Sequence, residues 1–326
     1  MNMKTKWIAD NSSNAVTALS DAGGLFDVEY VPASFERESI SINHVEIVTP
    51  RYEKGKRKGT PLHQWAVRTD TGAPLGLHSG KYPLEHSSYR MMAELAESTF
   101  PNSTIEVQLW ANGEKVALIQ DIGCEFEISN GDVVRPNVVW VSSFNGHWAT
   151  AVHSLSERLF CSNQLPGTAL FKVKHTRNHN LRFKEKVQIV NAAREQAEIV
   201  ARMAQVLADQ AFTDVEFKEL VANLVPLPQK NIETGEYNTH SLNTVERKRD
   251  KMYEYWENEV VTWGSRTSRG VIGNRWLAFN AVQGAEQHVF NAKGETQEEK
   301  MLSSLERTID KRTIYANKAL EALAHG

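Results

Sequence analysis

Four of the eleven histidines and one of the two cysteines lie between positions 143 and 186, and their types are the first in this chain to invite chemistry. His175 and His179 stand four apart. On a helix that spacing points two imidazoles to one side, where Cys161, His147 or His153 would complete a zinc set. Asn178, Asn180 and the β-prone run 171–176 oppose a helix there, and no Cys-x-x-Cys pair is present, so the sequence predicts no metal. Cys161 with His153 or His175 has the types for a thiolate–imidazolium nucleophile, because nearby cations lower a thiol pKa. No orienting carboxylate and no oxyanion donor stands at a diagnostic position, which leaves a buried or capping thiol as the plainer account.

The stronger feature of the same stretch is charge. Residues 171–186 hold six cations, Lys172, Lys174, Arg177, Arg182, Lys184 and Lys186, against the single carboxylate Glu185. Phe144, Trp148, Phe171, His175 and Phe183 lie among or just before them, with amides from Asn145, Asn163, Gln164 and Asn178. Single-strand binding asks for this combination: cations that follow the phosphates and flat side chains on which any base can stack. The competing reading places the aromatics in the core and the cations at the entry to a helix. A second basic segment, Lys56, Arg57 and Lys58 between two glycines, offers a further phosphate contact or a plain solvated hairpin tip.

Carboxylates suggest a different chemistry. Asp121, Glu125 and Glu127 share one strand face by period-two counting, and clustered carboxylates are what a metal-dependent nuclease needs. A solvated strand face is the competing account. Neither a GxxxxGK[ST] loop nor a GxGxxG turn is present, so no nucleotide cofactor is expected.

The whole chain sets the limits. Its 326 residues suffice for one large domain or two ordinary ones, and 41% hydrophobic with 24% charged residues is the usual balance of a globular protein. A net charge of −3 argues against coating duplex DNA by bulk charge, though a local basic patch on an acidic background still binds phosphates. No apolar run reaches the roughly 18 residues of a membrane span, and the first residues lack the apolar core of a signal peptide. The expectation is a cytoplasmic protein with no membrane partner and with reduced cysteines.

The elements that must position these residues divide in two. Short strands are predicted at 26–31 and 44–50, and a hairpin at 63–82 turns on Thr71, Gly72, Ala73 and Pro74. A helix follows over 84–99, then a second hairpin turning on Asn112 and Gly113, then a strand over 137–144. Beyond position 181 almost nothing is strand-like. Apolar periodicity predicts helices over 182–210, 214–224, 244–262, 274–290 and 297–324, with Asp214, after Thr213, as the N-cap of the second. The fold class is therefore α+β: an antiparallel β-hairpin sheet with a packed helix over 1–180, followed by a mostly helical region over 181–326 packing on it.

Several blocks, in order, resemble one family. Arg68-x-Asp70-Thr71-Gly72, the Leu-Gly pair that follows, a Tyr before Pro83, SFNGHWAT, RLFCSNQL, KHTRNH and RWLAFNAVQGAEQH are similar to the phage- and plasmid-borne family catalogued as domain of unknown function 932, over residues 64–288. In that family the last block usually runs Asn-Ala-Val-Thr-Glu-Tyr before its His. Here Gln283, Gly284, Ala285, Glu286 and Gln287 intervene, so no role of that Thr, Glu or Tyr carries over. The resemblance implies a mobile-element protein acting on nucleic acid in recombination or replication, in the host cytoplasm if phage-encoded.

The reading that joins these strands is binding of single-stranded DNA, with ATP-independent annealing by a homo-oligomer, similar in role to ring- or filament-forming phage annealing proteins. Lys172, Lys174, His175, Arg177, Arg182 and Lys184 would hold phosphates with Lys56, Arg57 and Lys58 as a second contact, and Asn145 and Trp148 would meet bases. This favours binding over catalysis. The alternatives are a metal-dependent nuclease at Asp121, Glu125 and Glu127, and a non-enzymatic factor that binds a protein partner through its charged C-terminal helix.

Overall fold

A computed structural model describes residues 6–12, 14–33, 39–42, 45–48, 63–79, 89–129, 131–158, 164–165, 169–174, 179–186, 192–267, 270–310 and 313–325. The chain opens with β1 (Lys6–Ser12), α1 (Ala15–Asp21), β2 (Val28–Pro32), β3 (Ser39–Ile42) and β4 (Val45–Val48). Then come β5 (His63–Arg68), β6 (Pro74–Ser79), α2 (Tyr89–Thr99), β7 (Ile105–Trp110) and β8 (Lys115–Asp121). Next are β9 (Phe126–Ser129), β10 (Asp132–Ser143), β11 (Thr150–Arg158), β12 (Gln164–Leu165), β13 (Ala169–Val173) and α3 (His179–Lys186). The rest is mostly helical: α4 (Ala193–Ala208), β14 (Ala211–Phe212), α5 (Asp214–Leu224), α6 (Thr239–Trp263), β15 (Ser265–Thr267) and β16 (Gly270–Asn274). Last are α7 (Arg275–Ala285), a π-helical turn at Glu286–Phe290, α8 (Gln297–Ile309) and α9 (Ile314–His325). This is an α+β fold with antiparallel sheets and a helical C-terminal part. Among the described residues no helix is long and apolar enough to cross a membrane.

The chain forms two compact units that interleave in sequence. The first takes Met1–Gly123, Asn137–Ser154 and Thr168–Arg194, and the second takes Cys124–Pro136, Leu155–Gly167 and Glu195–Gly326. Two of the divisions fall inside strands, at Asn137 in β10 and at Leu155 in β11.

In the first unit the strands follow the order β1-β7-β8-β10-β11, with β13 also paired to β11. The β7–β8 connection turns on Asn112 (φ 59°) and Gly113 (φ 99°), as the Asn-Gly signal predicts. One face receives α2 through Tyr89, Met92, Ala93 and Ala96. Gln120 is buried in that layer and fully used: it donates to the Ala96 carbonyl at 2.8 Å and accepts from the Trp140 indole at 2.9 Å. Such pairing is what lets a polar side chain remain in a core.

The β5–β6 hairpin forms as its turn residues predict and adds β2 as a third strand. The Arg68-x-Asp70 pattern is its fastener. Arg68 grips Asp70 with two bonds of 2.9 and 2.6 Å, donates to the Asn112 carbonyl at 2.8 Å, and lies 3.9 Å from the Phe26 ring centre. The guanidinium in turn holds the Asp70 carboxyl below its usual range. Thus the first block of the resemblance ties the hairpin to the β7–β8 turn.

On the opposite strand of this hairpin, Gly76 runs against the chain at Asn145. A Cβ there would stand 2.5 Å from the Asn145 Cα and 2.7 Å from the Phe144 carbonyl oxygen, both backbone atoms that cannot rotate away. Gly76→Ala is expected to cost about 1–3 kcal/mol, the usual penalty of overpacking. A thermal midpoint unchanged from wild type would show that β6 can slide off this turn.

The second unit is built around α7, whose residues from Trp276 to Ala285 are all buried. A helix buried on every side belongs at the centre of a core. Phe217, Met252, Trp256, Phe279 and Leu323 pack into the same cluster, with Phe217 and Trp256 stacked at 4.6 Å. The cap of α5 is Thr213 rather than Asp214, in a reciprocal capping box with Glu216. The predicted helix 297–324 is two helices. α9 begins where the Glu286 carboxylate accepts from the backbone N–H groups of Ile314, Tyr315 and Ala316 at 2.6, 3.1 and 2.8 Å. The predicted helix 182–210 is described as α3 and α4, and residues 187–191 lie outside the described residues.

Candidate nucleic-acid interface

The basic stretch enters the first unit as β13. Alternation along this strand buries Phe171 and Val173 and exposes Lys172 and Lys174, so both lysines share the open face. α3 packs against β13 and exposes Arg182 and Lys184, with Leu181 and Glu185 beside them. Among the described residues these four cations enter no salt bridge. They sit on neighbouring elements, four exposed cations with the carboxylate of Glu185 among them. His175, Arg177, Lys56, Arg57, Lys58 and Cys161 lie outside the described residues.

The aromatic half of the expected surface is placed differently. Phe144, Trp148 and Phe171 are only 4%, 5% and 6% exposed, so none turns an open ring face to solvent. Trp148 meets Trp110 edge-on at 5.2 Å, and its backbone N–H and carbonyl both bond the Ser143 hydroxyl at 2.9 Å. Asn145 donates to Glu114 at 3.0 Å and accepts from the His147 N–H at 2.9 Å, which fixes the tight turn of SFNGHW. Here the reading that puts these aromatics in the core describes the molecule. The hydrophobic transfer of large rings outweighs any benefit of leaving them open.

The three carboxylates do not share a strand face. β8 ends at Asp121, Gly123 turns the chain at φ 71°, and β9 begins only at Phe126, so the period-two count is broken before Glu125. Each carboxylate has its own local partner. Asp121 accepts from the Gly123 N–H at 2.7 Å, Glu125 pairs with Arg135 at 2.6 Å, and Glu127 accepts from the Gly131 N–H at 3.0 Å.

What spacing did not reveal is a buried charge centre in the second unit. Arg158, 0% exposed, bonds Asp132 through Nε at 2.6 Å and both oxygens of Glu259 through Nη1 at 2.6 and 2.7 Å. The second oxygen of Asp132 accepts from the Trp276 indole at 2.8 Å, and the Trp263 ring centre lies 5.3 Å from the guanidinium. Burial pushes the Glu259 carboxyl above its ordinary value against the pull of Arg158, and Asp132 adds to the push. These bonds join β10, β11, α6 and α7. The trace of this centre in the sequence is that Arg158 opens the block RLFCSNQL and Trp276 is the second residue of RWLAF.

Comparison with curated proteins and comparison with solved structures each found no match. The family model described as "Domain of unknown function (DUF932)" matches residues 104–315, a span that takes in β13, α3 and the whole Arg158 centre. With that span covering well over half of its length, the chain belongs to the DUF932 family.

Proposed function

We propose that this protein binds single-stranded nucleic acid through the β13–α3 face and serves ATP-independent strand annealing in the recombination or replication of a phage or plasmid. The observation that supports this reading is the set Lys172, Lys174, Arg182 and Lys184: exposed, on adjoining elements and without ion pairs among the described residues, in a chain of net charge −3. With the nearby rings of Phe144, Trp148 and Phe171 in the core, phosphates rather than bases carry the contact. Bases left outward can meet a complement without nucleotide hydrolysis. Lysines on a marginal strand also discourage edge-to-edge pairing between copies, which keeps the face open for a ligand.

The test is fluorescence anisotropy with labelled single strands and duplex across salt. Four phosphate contacts predict a log–log salt slope of about −2.8 for a single strand, so a fourfold rise in salt weakens binding about 50-fold. Changing Lys172, Lys174, Arg182 and Lys184 together to Glu is expected to abolish binding. Equal binding by that variant would remove this face from the reading, and tighter binding to duplex than to single strand would remove annealing.

A further inference from the structure

The first unit holds a second feature that the basic face does not use. The turn 99–104 between α2 and β7, the end of β8 with its turn at Gly123, and Arg194 in the first turn of α4 enclose a cleft of about 620 Å³. That volume falls within the range of small-molecule sites.

Its lining is charged at two places and flat at a third. Arg194 is exposed and uses one donor, Nη2, on the Ile122 carbonyl at 3.3 Å. A guanidinium carries five N–H donors in a planar fork, so donors beyond that bond remain on a residue that lines the cleft. The Gly123 N–H at 2.7 Å orients the Asp121 carboxylate on the neighbouring wall. Asn102 stands at the turn with φ 62°, a conformation that Asn tolerates, and Thr104 beside it is exposed. Phe100 and Pro101 supply two flat apolar surfaces.

These three features select a ligand class. The fork matches a phosphate, which it can bind with two parallel bonds. An oriented carboxylate accepts from hydroxyl or N–H donors, as carboxylates do at ribose hydroxyls. The flat pair suits a ring. A bare inorganic anion would be repelled by Asp121, and an apolar ligand would take two charged groups out of solvent and offer them nothing in return. We propose that the cleft between the 99–104 turn, Gly123 and Arg194 binds a nucleotide, with its phosphate on Arg194 and its sugar or base donors on Asp121. Such a nucleotide is either free or the phosphorylated end of a strand.

The experiment is calorimetric titration of the full chain with AMP, GMP, CMP and UMP, with the matching nucleosides, with inorganic phosphate, and with short oligonucleotides carrying a 5′-phosphate or a 5′-hydroxyl. Arg194→Gln and Asp121→Asn are run beside wild type, each checked for a native near-ultraviolet spectrum. At least one monophosphate is expected to bind, about tenfold or more tighter than its nucleoside, and Arg194→Gln should remove that difference. Asp121→Asn should weaken the nucleotide without weakening inorganic phosphate. A preference for the 5′-phosphorylated oligonucleotide over the free nucleotide identifies a strand end, and the reverse identifies a free nucleotide. No heat with any monophosphate at millimolar concentration, unchanged binding in Arg194→Gln, or phosphate binding as tightly as the nucleotides would each overturn the proposal. Because none of the lining residues belongs to the β13–α3 face, the fourfold Glu variant should still bind the mononucleotide, so the two readings fail separately.

Discussion

Arg158→Ala is expected to remove about 3–5 kcal/mol, because it leaves the Asp132 and Glu259 carboxylates inside the second unit with no cation. Set against the 5–15 kcal/mol that usually separates folded from unfolded states, such a loss takes a large part of the stability. The loss comes from stranded charge and not from the worth of the ion pair itself. Two carboxylates on one guanidinium are expensive to desolvate, and an uncharged centre of similar volume does nearly as well. Hence the triple variant Arg158→Met, Asp132→Asn, Glu259→Gln, in which an amide oxygen at position 132 still accepts from the Trp276 indole, should recover most of what Arg158→Ala loses. Urea denaturation of the two proteins decides the matter. If the triple variant is no more stable than Arg158→Ala, the geometry of the charged fork itself, and not charge neutrality, holds β10, β11, α6 and α7.

The second large effect concerns Glu286. This residue stands in a π-helical turn, is 2% exposed, and supplies the cap for three N–H groups at the start of α9. Glu286→Ala should cost about 2–4 kcal/mol, since it deletes the acceptor for donors that are partly or fully buried. The expected reading is loss of hydrogen-exchange protection in α9, ahead of α7. Glu286→Gln keeps an acceptor and should cost less. The same residue gives a pH dependence. Burial raises its carboxyl above the ordinary 4.5, with the α9 amides and Lys248 restraining the rise, and Glu259 is raised in the same way. A folded state that holds a proton more tightly than the unfolded one is favoured by these two groups at pH below the unfolded value. That contribution is lost as pH rises from about 4.5 through each raised value. Urea midpoints should therefore fall across that window, and the Glu286→Gln and Glu259→Gln proteins should each show a shallower fall. A slope unchanged in both would mean that neither carboxyl keeps its proton in the folded state.

Much of the strand pattern was open to sequence reading because its causes are local. Asn112 and Gly113 adopt positive φ and so close the β7–β8 hairpin, and Thr71 to Pro74 close β5–β6. Lys172 and Lys174 are exposed because a strand alternates, and that needs no knowledge of the partner strand. The helices of the second unit followed from apolar period for the same reason. Residues 297–324 show where period fails. Apolar period runs through the segment, whereas α9 starts where Glu286 accepts from amides 28 to 30 residues away.

The site followed the same division. Asp121, Glu125 and Glu127 were counted along one strand, but a glycine at φ 71° ended the strand between them, and counting has no access to that turn. Trp148 and Asn145 stand among cations in the sequence, yet one ring is in the core and one amide is bound to Glu114, since burial depends on what lies across the sheet. The α+β class, the hairpins, the family and the exposed lysines of β13 are legible in the residues, because all of them rest on neighbours in the chain or on motif order. Tertiary structure alone decided that Arg158, Asp132, Glu259 and Trp276 meet, across separations of 26, 101 and 144 residues. It also brought Arg194 to Ile122 across 72 residues to complete the cleft. Hydrogen bonds and ion pairs act over about 3 Å of space whatever the distance along the chain, so the groups that join distant segments leave no period to read.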